Sequence, residues 1–136
     1  MSAVLNAGDF HGIWEMLSLR RLYDGVFARY PMGEQAWGRL TYAPQTMSAF
    51  IMSPGWRAGE ALPAHENLVS YAARWHYAEG LIRHEVLASS IPAWIGTTLL
   101  RAAAPLPDGT LRLLTEVVRN KRGAAVQDEL IWRKII

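Results

Sequence analysis

Two alternating runs around a short turn constrain the fold more than any other part of this sequence. The runs YAARWHYA and LIRHEVLA flank Glu79-Gly80, and a glycine after a polar residue suits the positive φ angles of a two-residue hairpin turn. The segment therefore predicts an antiparallel β-hairpin with one definite register. Counted outward from the turn, the facing pairs are Ala78 with Leu81, Tyr77 with Ile82, His76 with Arg83, Trp75 with His84, Arg74 with Glu85, Ala73 with Val86 and Tyr71 with Ala88.

Alternation along this hairpin sorts its side chains onto two faces. The polar face carries Arg74, His76, Arg83 and Glu85, and we expect it to face water. The other face carries Tyr71, Ala73, Trp75, Tyr77, Ile82, His84, Val86 and Ala88. His84 is the exception on that apolar face, where a polar side chain needs a hydrogen-bond partner. It is either a core histidine bonded to a carbonyl or a tyrosine, or a pocket histidine that binds a ligand or transfers a proton.

In the rest of the chain, turn-forming residues are spaced as is typical of an all-β protein. Short runs rich in β-branched and aromatic residues are divided by Gly, Pro, Asp and Asn. The chain has 136 residues, which fits one domain. Its short connectors predict antiparallel neighbours, and periodicity alone leaves open a sandwich or a closed barrel. The nine candidate strands are 13–22, 26–30, 38–42, 47–52, 71–78, 81–89, 97–104, 110–118 and 126–135.

One connector, residues 53–68, is long and has little alternation. Part of it, near residues 60–68, has the composition of one or two helical turns. A long connection in a compact domain is either a functional lid or, here, a helix that plugs one end of the barrel. Residues 1–9 form an N-terminal tail and residues 10–136 the domain.

Composition excludes several classes of function. There is no cysteine, hence no disulfide and no thiolate, and the opening residues contain neither a signal peptide nor an apolar run of membrane-spanning length. We therefore expect a cytoplasmic protein without membrane insertion. Net charge is only +2, and the basic run RNKR at residues 119–122 is expected to be a solvated hairpin tip rather than a nucleic-acid site.

The usual signatures of metal, nucleophile and nucleotide chemistry are missing from the sequence. None of the histidines, His11, His65, His76 and His84, forms a local pair at metal-ligand spacing. Serines are present without a nucleophile-elbow motif, and no glycine-rich phosphate loop occurs. We accordingly expect no metal and no cofactor.

Several stretches, in order, resemble the lipocalin-like domain family of small bacterial and fungal proteins. They are GIWEMLSL, GRLTYAPQTMSAFIM, YAARWHYAEGLIRHEV, IPAWIGTTLLR and ELIWRKI, and they cover most of residues 10–134. The resemblance implies a single antiparallel up-and-down β-barrel of about eight or nine strands with an internal cavity. It also implies that Trp14 closes the barrel base under Arg133, and it places His84 where the family tends to have a histidine.

The resemblance does not fix one activity, because related barrels include passive carriers and cofactor-free cyclases and isomerases of natural-product pathways. Two hypotheses follow. The protein is a cofactor-independent cyclase, isomerase or dehydratase of secondary metabolism acting on a polyketide- or terpenoid-like molecule, or it is a carrier of a hydrophobic small molecule. Whether it forms a homodimer is left open.

The predicted site consists of His84 and Tyr71, which are the catalytic residues if the protein is an enzyme, and an apolar lining. The lining is Trp75, Tyr77, Tyr42, Phe50, Trp94, Val86 and Leu113. Core or rim packing is the alternative for Trp94, and core filling for Tyr42 and Phe50. Arg39 and Arg101 alternate with apolar neighbours and are expected to face solvent. Phe50 and Leu87 stand where family members often have polar residues, which predicts a more apolar pocket.

Overall fold

The structure, a computed structural model that describes residues 5–136, consists of ten antiparallel β-strands and four short helices. The 3₁₀ helices are Ala7–Phe10 and Pro92–Trp94, and the α-helices are α1 (Pro54–Arg57) and α2 (Ala64–Asn67). The strands are β1 (Gly12–Tyr23), β2 (Val26–Arg29), β3 (Trp37–Tyr42), β4 (Thr46–Met52), β5 (Leu68–Ala78), β6 (Leu81–Ser89), β7 (Thr98–Pro105), β8 (Leu111–Thr115), β9 (Val118–Arg119) and β10 (Ala125–Lys134).

Eight of these strands close into a barrel, which confirms the predicted fold class. Neighbours pair in the order β1-β3-β4-β5-β6-β7-β8-β10, and β10 returns to β1 to close the ring. The two remaining strands extend the wall at one end, where β2 pairs with the last residues of β1 and β9 pairs with the first residues of β10. The predicted strand 110–118 is thus two strands, β8 and β9, separated by Glu116 and Val117.

The hairpin of β5 and β6 has the predicted register over most of its length. Glu79 and Gly80 both have positive φ angles of 52° and 81°, as the tight turn requires. The pairing from Ala78 with Leu81 to Ala73 with Val86 is as expected. Beyond it the prediction is wrong, because β6 carries an extra residue, Leu87, at a β-bulge.

The bulge changes which residues pair, but it does not change which side chains of β5 point inward. Tyr71 pairs with Ser89 instead of Ala88, and Ala88 is exposed instead of facing the interior. Since the extra residue lies in β6 alone, the alternation of β5 continues and Tyr71 still points into the barrel, where its hydroxyl reaches His84. Alternation cannot reveal such an insertion, because it assumes one residue opposite one.

One end of the barrel is filled by large side chains. Phe10, from the first 3₁₀ helix, is almost fully buried and packs edge-on against Tyr42 and Trp75. The indole Nε1 of Trp14 donates to the carbonyl of Phe10 at 2.9 Å, which fixes this helix to the barrel. We call this the closed end; its helix includes part of the predicted tail 1–9, of which residues 1–4 lie outside the described residues.

The residue that covers Trp14 differs from the expectation. Lys134 places its ammonium 5.7 Å from the Trp14 ring centre, whereas Arg133 points away and pairs with Glu15 at 3.1 Å. The register explains the difference, because Trp14 faces Lys134 across the seam between β1 and β10, and Glu15 faces Arg133.

The long connector forms α1 and α2 and runs along the opposite end of the barrel. Ser53 begins it, accepting a hydrogen bond from the Trp56 amide and donating one to Asn67. The connector does not plug the closed end, where the first 3₁₀ helix lies. Within residues 5–136 no helix combines the length and the apolar character needed to cross a membrane.

Candidate ligand-binding site

A cavity of about 870 Å³ occupies the half of the barrel away from the closed end. It opens where β6 and β8 end and β5 and β7 begin, and we call this the open end. Its volume lies in the range of small-molecule sites. Much of the wall is apolar: Leu19, Leu40, Ile51, Val69, Leu99, Leu113 and Leu130. Its polar side chains include Arg21, Tyr71, His84, Arg101, Asp128 and Trp132.

His84 lies in the wall of this cavity with both ring nitrogens engaged. It is 1% exposed; its Nε2 is 2.7 Å from the hydroxyl of Tyr42, and its Nδ1 is 2.8 Å from the hydroxyl of Tyr71. The strands explain this arrangement: β5 and β6 carry Tyr71 and His84 on the inner face, and β3 ends at Tyr42. The imidazole is therefore held in one position by two phenols.

The direction of these hydrogen bonds follows from the partners that each group has. A neutral imidazole has one N–H donor and one acceptor nitrogen. Tyr42 is buried, and His84 is its hydroxyl's only hydrogen-bond partner among the described residues, so its O–H donates to Nε2. Nδ1–H then donates to the Tyr71 oxygen, and the O–H of Tyr71 has no acceptor among residues 5–136 and can donate to another group. Because Tyr71 lines the cavity, that proton is available to a bound molecule.

Burial keeps the hydrogen-bonded side chains of Tyr42, His84 and Tyr71 neutral. Desolvation, assisted by the nearby charge of Arg101, lowers the pKa of His84 from 6.5 to about 3. Burial raises the pKa of the Tyr42 hydroxyl well above its usual value. It raises the pKa of Tyr71 as well, although the charge and hydrogen bonding of Arg101 act in the opposite direction there. At neutral pH these three side chains are therefore uncharged hydrogen-bonding groups beside one cation.

That cation is Arg101, which the sequence analysis placed on the outer face. The expectation is wrong: Arg101 pairs with Ile82 on one side and Thr115 on the other, and its side chain lines the cavity. Its guanidinium donates to the Leu100 carbonyl at 3.0 Å, and no carboxylate within residues 5–136 lies within 4.0 Å of it. Arg39 is exposed, as expected.

Two further polar features line the cavity at different depths. Toward the open end, Arg21 binds Asp128 through two bonds of 2.8 and 3.0 Å. Deeper, Trp132 is 2% exposed, and its indole Nε1 has no hydrogen-bond partner among the described residues. Arg101 and Trp132 lie on either side of β8, where Arg101 pairs with Thr115 and Trp132 pairs with Leu111. Thr115 and Leu111 are four positions apart on the strand, about 13 Å.

The structure brings some of the predicted site residues to the cavity and places others elsewhere. His84, Tyr71, Trp94 and Leu113 line it. Phe50 does not, because it points outward and packs on Trp37 with ring centres 5.1 Å apart. The remaining residues, Tyr42, Trp75, Tyr77 and Val86, belong to the interior packing and are not part of the cavity wall.

Sequence reasoning missed Arg101, Trp132 and the Arg21–Asp128 pair as cavity residues. Alternation along β7 does not decide the face of Arg101, because Leu99 and Ala103 on its own side and Leu100 and Ala102 on the other side are all apolar. Across residues 5–136, no group of three or more His, Asp or Glu side chains is placed to hold a metal ion.

Comparison with known proteins identifies the family of this chain. The sequence profile of the lipocalin-like domain matches residues 11–135. The chain belongs to the lipocalin-like domain family. The comparison with curated proteins gave no match. Among solved structures the chain is similar to a redesigned beta barrel, b11L5F_LGL, with a TM-score of 0.45 and 10% identity over 99% of this chain and 100% of that one. Membership in the family, together with the cavity, suggests that this barrel binds a small molecule.

Proposed function

We propose that this protein binds an apolar carbonyl compound, such as a polyketide- or terpenoid-like molecule, and promotes its isomerisation or cyclisation without a cofactor. The observation that carries the proposal is the directed chain from Tyr42 through His84 to Tyr71, which ends on a free O–H at the cavity wall. Such a group donates a hydrogen bond to a carbonyl oxygen and stabilises the negative charge that develops on it.

The energetic cost of burying the hydrogen-bonded side chains of Tyr42, His84 and Tyr71 supports a chemical role. Burying a polar group is unfavourable unless every donor and acceptor is paired, and an apolar wall at these positions would hold a hydrophobic molecule without that cost. The chain places a rigid donor among apolar residues and next to Arg101. A preorganised donor of this kind needs no reorganisation when the substrate reacts.

The proposed reaction begins with enolisation of the bound carbonyl compound. The α C–H bond breaks, its proton passes to a water or buffer base entering from the open end, and its electron pair forms a C=C bond. The carbonyl π pair moves to the oxygen, which Tyr71 and Arg101 stabilise. Return of a solvent proton to a carbon completes an isomerisation. If the enol carbon instead attacks a second carbonyl of the folded substrate, a ring forms and that oxygen takes up a proton.

His84 has a different part in this proposal from the one that the sequence suggested. Its Nε2 lone pair accepts from Tyr42, and with a pKa of about 3 it is not an imidazolium near neutral pH. It is therefore a positioning residue that orients Tyr71, while Tyr71 is the residue that touches the substrate. Proximity and shape supply the rest of the rate, because the cavity restricts a flexible molecule.

The test uses benzoylacetone and related apolar 1,3-diketones as probes in D₂O. We expect the protein to accelerate deuterium incorporation at the α carbon, measured by NMR, and Tyr71→Phe to lower that acceleration about 10²-fold, the typical effect of removing one oxyanion-stabilising donor. Tyr23→Phe, at a tyrosine outside the cavity lining, is the matched control. Equal rates for the wild type and Tyr71→Phe would rule out this role of Tyr71.

A carrier without catalysis is the alternative, and one observation favours it. The histidine in contact with Tyr71, His84, is not available as a free base, because both of its ring nitrogens are hydrogen-bonded. Under this alternative the diketones bind with ordinary affinity, and their exchange rates stay at the value for buffer alone. The same experiment, read with a binding measurement by native mass spectrometry, separates the two functions.

A further inference from the structure

We infer that the ligand of this cavity carries an acidic oxygen group, such as a carboxylate, phenolate or enolate, and that Arg101 binds it. The inference rests on the proposed use of the cavity as the ligand site and specifies the class of molecule that it accepts. That class is an apolar body with one anionic end, rather than a neutral hydrocarbon-like molecule.

The position of Arg101 is the first observation. Its strand neighbours Ile82 and Thr115 place it on the inner face of β7, and its side chain is only partly exposed. An arginine whose guanidinium is partly removed from water and left without an anion is uncommon, because the charge keeps its desolvation cost without a compensating partner. A ligand anion would supply that partner.

Three other arginines of the described structure show different surroundings for a guanidinium group. Arg21, at the same cavity, has a two-bond contact with Asp128, and Arg112 pairs with Glu129 at 3.0 Å. Arg29 also borders the cavity, but it is exposed and therefore solvated. Arg101 differs from all three, because it is partly buried and its hydrogen bonds among the described residues go to uncharged groups, the Leu100 carbonyl and the Tyr71 hydroxyl.

The groups around Arg101 do not neutralise it. Tyr42, Tyr71 and His84 are uncharged near neutral pH, as described above. Among the carboxylates that line the cavity, Glu116 is the nearest to Arg101 in the sequence. It accepts a hydrogen bond from the Leu100 amide and lies more than 4.0 Å from the Arg101 guanidinium. The wall near Arg101 therefore presents a positive charge and, from Tyr71, a hydroxyl donor.

These two groups match the chemistry of an acidic oxygen. A guanidinium offers several N–H donors in a planar fork that fits the two oxygens of a carboxylate, and a phenol O–H adds a third donor. A ketone oxygen uses only part of this arrangement. The apolar side chains of Leu99, Leu113 and Leu130 around the same cavity favour a ligand body without further charges.

The test compares two fluorescent probes that differ by one acidic group. 8-Anilinonaphthalene-1-sulfonate carries a sulfonate, and N-phenyl-1-naphthylamine is the same ring system without it. We expect the wild type to bind the sulfonate more tightly. Arg101→Met should lose about tenfold or more in affinity for the sulfonate, the range for a charged hydrogen bond, and keep its affinity for the neutral amine.

Two variants keep the result interpretable. Arg101→Lys retains the charge and should restore part of the preference, which a loss of folding would not do. Arg39→Met removes an exposed cation from the outer face and should leave both affinities unchanged. Circular dichroism of each variant checks that the barrel is formed.

The outcomes separate this inference from the function on which it rests. If the neutral amine binds and Arg101→Met does not alter the affinity for the sulfonate, the anion site is refuted while the cavity remains a ligand site. If Arg101→Met weakens both probes equally, Arg101 acts through packing and the inference is also refuted. If neither probe binds the wild type, both the inference and ligand binding in this cavity are refuted.

Discussion

The two ends of this barrel are built on the same strands but from different side chains. At the closed end, Phe10, Tyr42 and Trp75 pack with ring centres 4.4 to 6.1 Å apart. At the open end, the inner face carries smaller apolar side chains, Arg101 and the Arg21–Asp128 pair around the cavity. Strand β5 contributes to both, with Trp75 and Ala73 in the packed core and Tyr71 and Val69 at the cavity wall.

The difference shows that alternation decides only whether a side chain points inward. What an inward position does depends on its level along the barrel axis and on the volume of its neighbours. Aromatic rings at one level fill the interior of an eight-stranded barrel, and shorter side chains at the next level leave room for a ligand. Stability should therefore concentrate at the closed end and binding at the open end.

The sharpest test of this division exchanges one tryptophan at each end for alanine. Trp75→Ala should lower the free energy of unfolding by about 3–5 kcal/mol, because it removes a buried indole from the packed core and the Nε1 bond to Ala43. Trp94→Ala, at the cavity wall, should cost less than about 1 kcal/mol and weaken the binding of N-phenyl-1-naphthylamine. Urea titration gives both values, and equal costs would contradict the division.

The second test uses pH, because His84 lies between the two ends. Its pKa is lowered from 6.5 to about 3 in the folded protein, so below pH 6.5 the unfolded chain takes up a proton that the folded chain does not. Stability should then fall as the pH is lowered from 6.5 toward 3. Between pH 7 and pH 4.5 the loss should be about 2–3 kcal/mol.

His84→Gln should lack this part of the pH dependence, measured by urea titration at each pH. The control is His65→Gln, since His65 is an exposed histidine outside the hydrogen-bonded set of Tyr42, His84 and Tyr71. Carboxylates titrate in the same range in all three proteins, so only the difference between the curves is attributed to His84. Parallel curves for the wild type and His84→Gln would contradict the lowered pKa.

A third test compares the two tyrosines bonded to His84. Tyr42→Phe leaves Nε2 without a donor in the packed core and should cost about 1–3 kcal/mol. Tyr71→Phe should cost no more than about 1 kcal/mol, because solvent entering the cavity can replace its hydroxyl. If Tyr71→Phe were the more costly in thermal or urea unfolding, the closed end would not be the more sensitive one.

The smallest effect is expected at the open end itself. Arg21→Met breaks the two-bond contact with Asp128, in which both side chains are about one quarter exposed. Burial and the bond to Asp128 act on Arg21 in opposite senses, and the net effect raises its pKa, with the hydrogen bond as the largest cause. We expect a loss of about 0.2–1 kcal/mol that shrinks in high salt. A loss above 2 kcal/mol in the free energy of unfolding would show that the open end contributes strongly to stability, against the proposed division.

Much of the fold could be predicted from the sequence because local rules determine it. The turn at Glu79-Gly80 fixes the pairing of β5 and β6, and alternation then places His84 inside and Arg74 outside. The bulge at Leu87 and the break between β8 and β9 were missed. Both are set by pairing across strands, which a single strand's pattern does not contain.

The candidate site was predictable only in part, for a related reason. His84 and Tyr71 stood out because a histidine on an apolar face needs a partner. Arg101 was placed outside because it alternates with apolar neighbours, but both faces of β7 are apolar and leave its direction undecided. Phe50 was assigned to the lining although it shares its parity along β4 with the polar Ser48. The level of Trp75 along the barrel axis depends on how the strands are staggered, which the sequence pattern does not show.

The seam between β1 and β10 joins residues that are far apart in the chain. Trp14 faces Lys134 and Tyr23 faces Val126, so more than one hundred residues separate the partners. Such distant pairings slow folding, and until β10 docks, the matching edge of β1 is free to recruit a strand from another molecule. We therefore expect the slowest step of refolding to be closure of this seam, and aggregation during refolding to rise steeply with protein concentration.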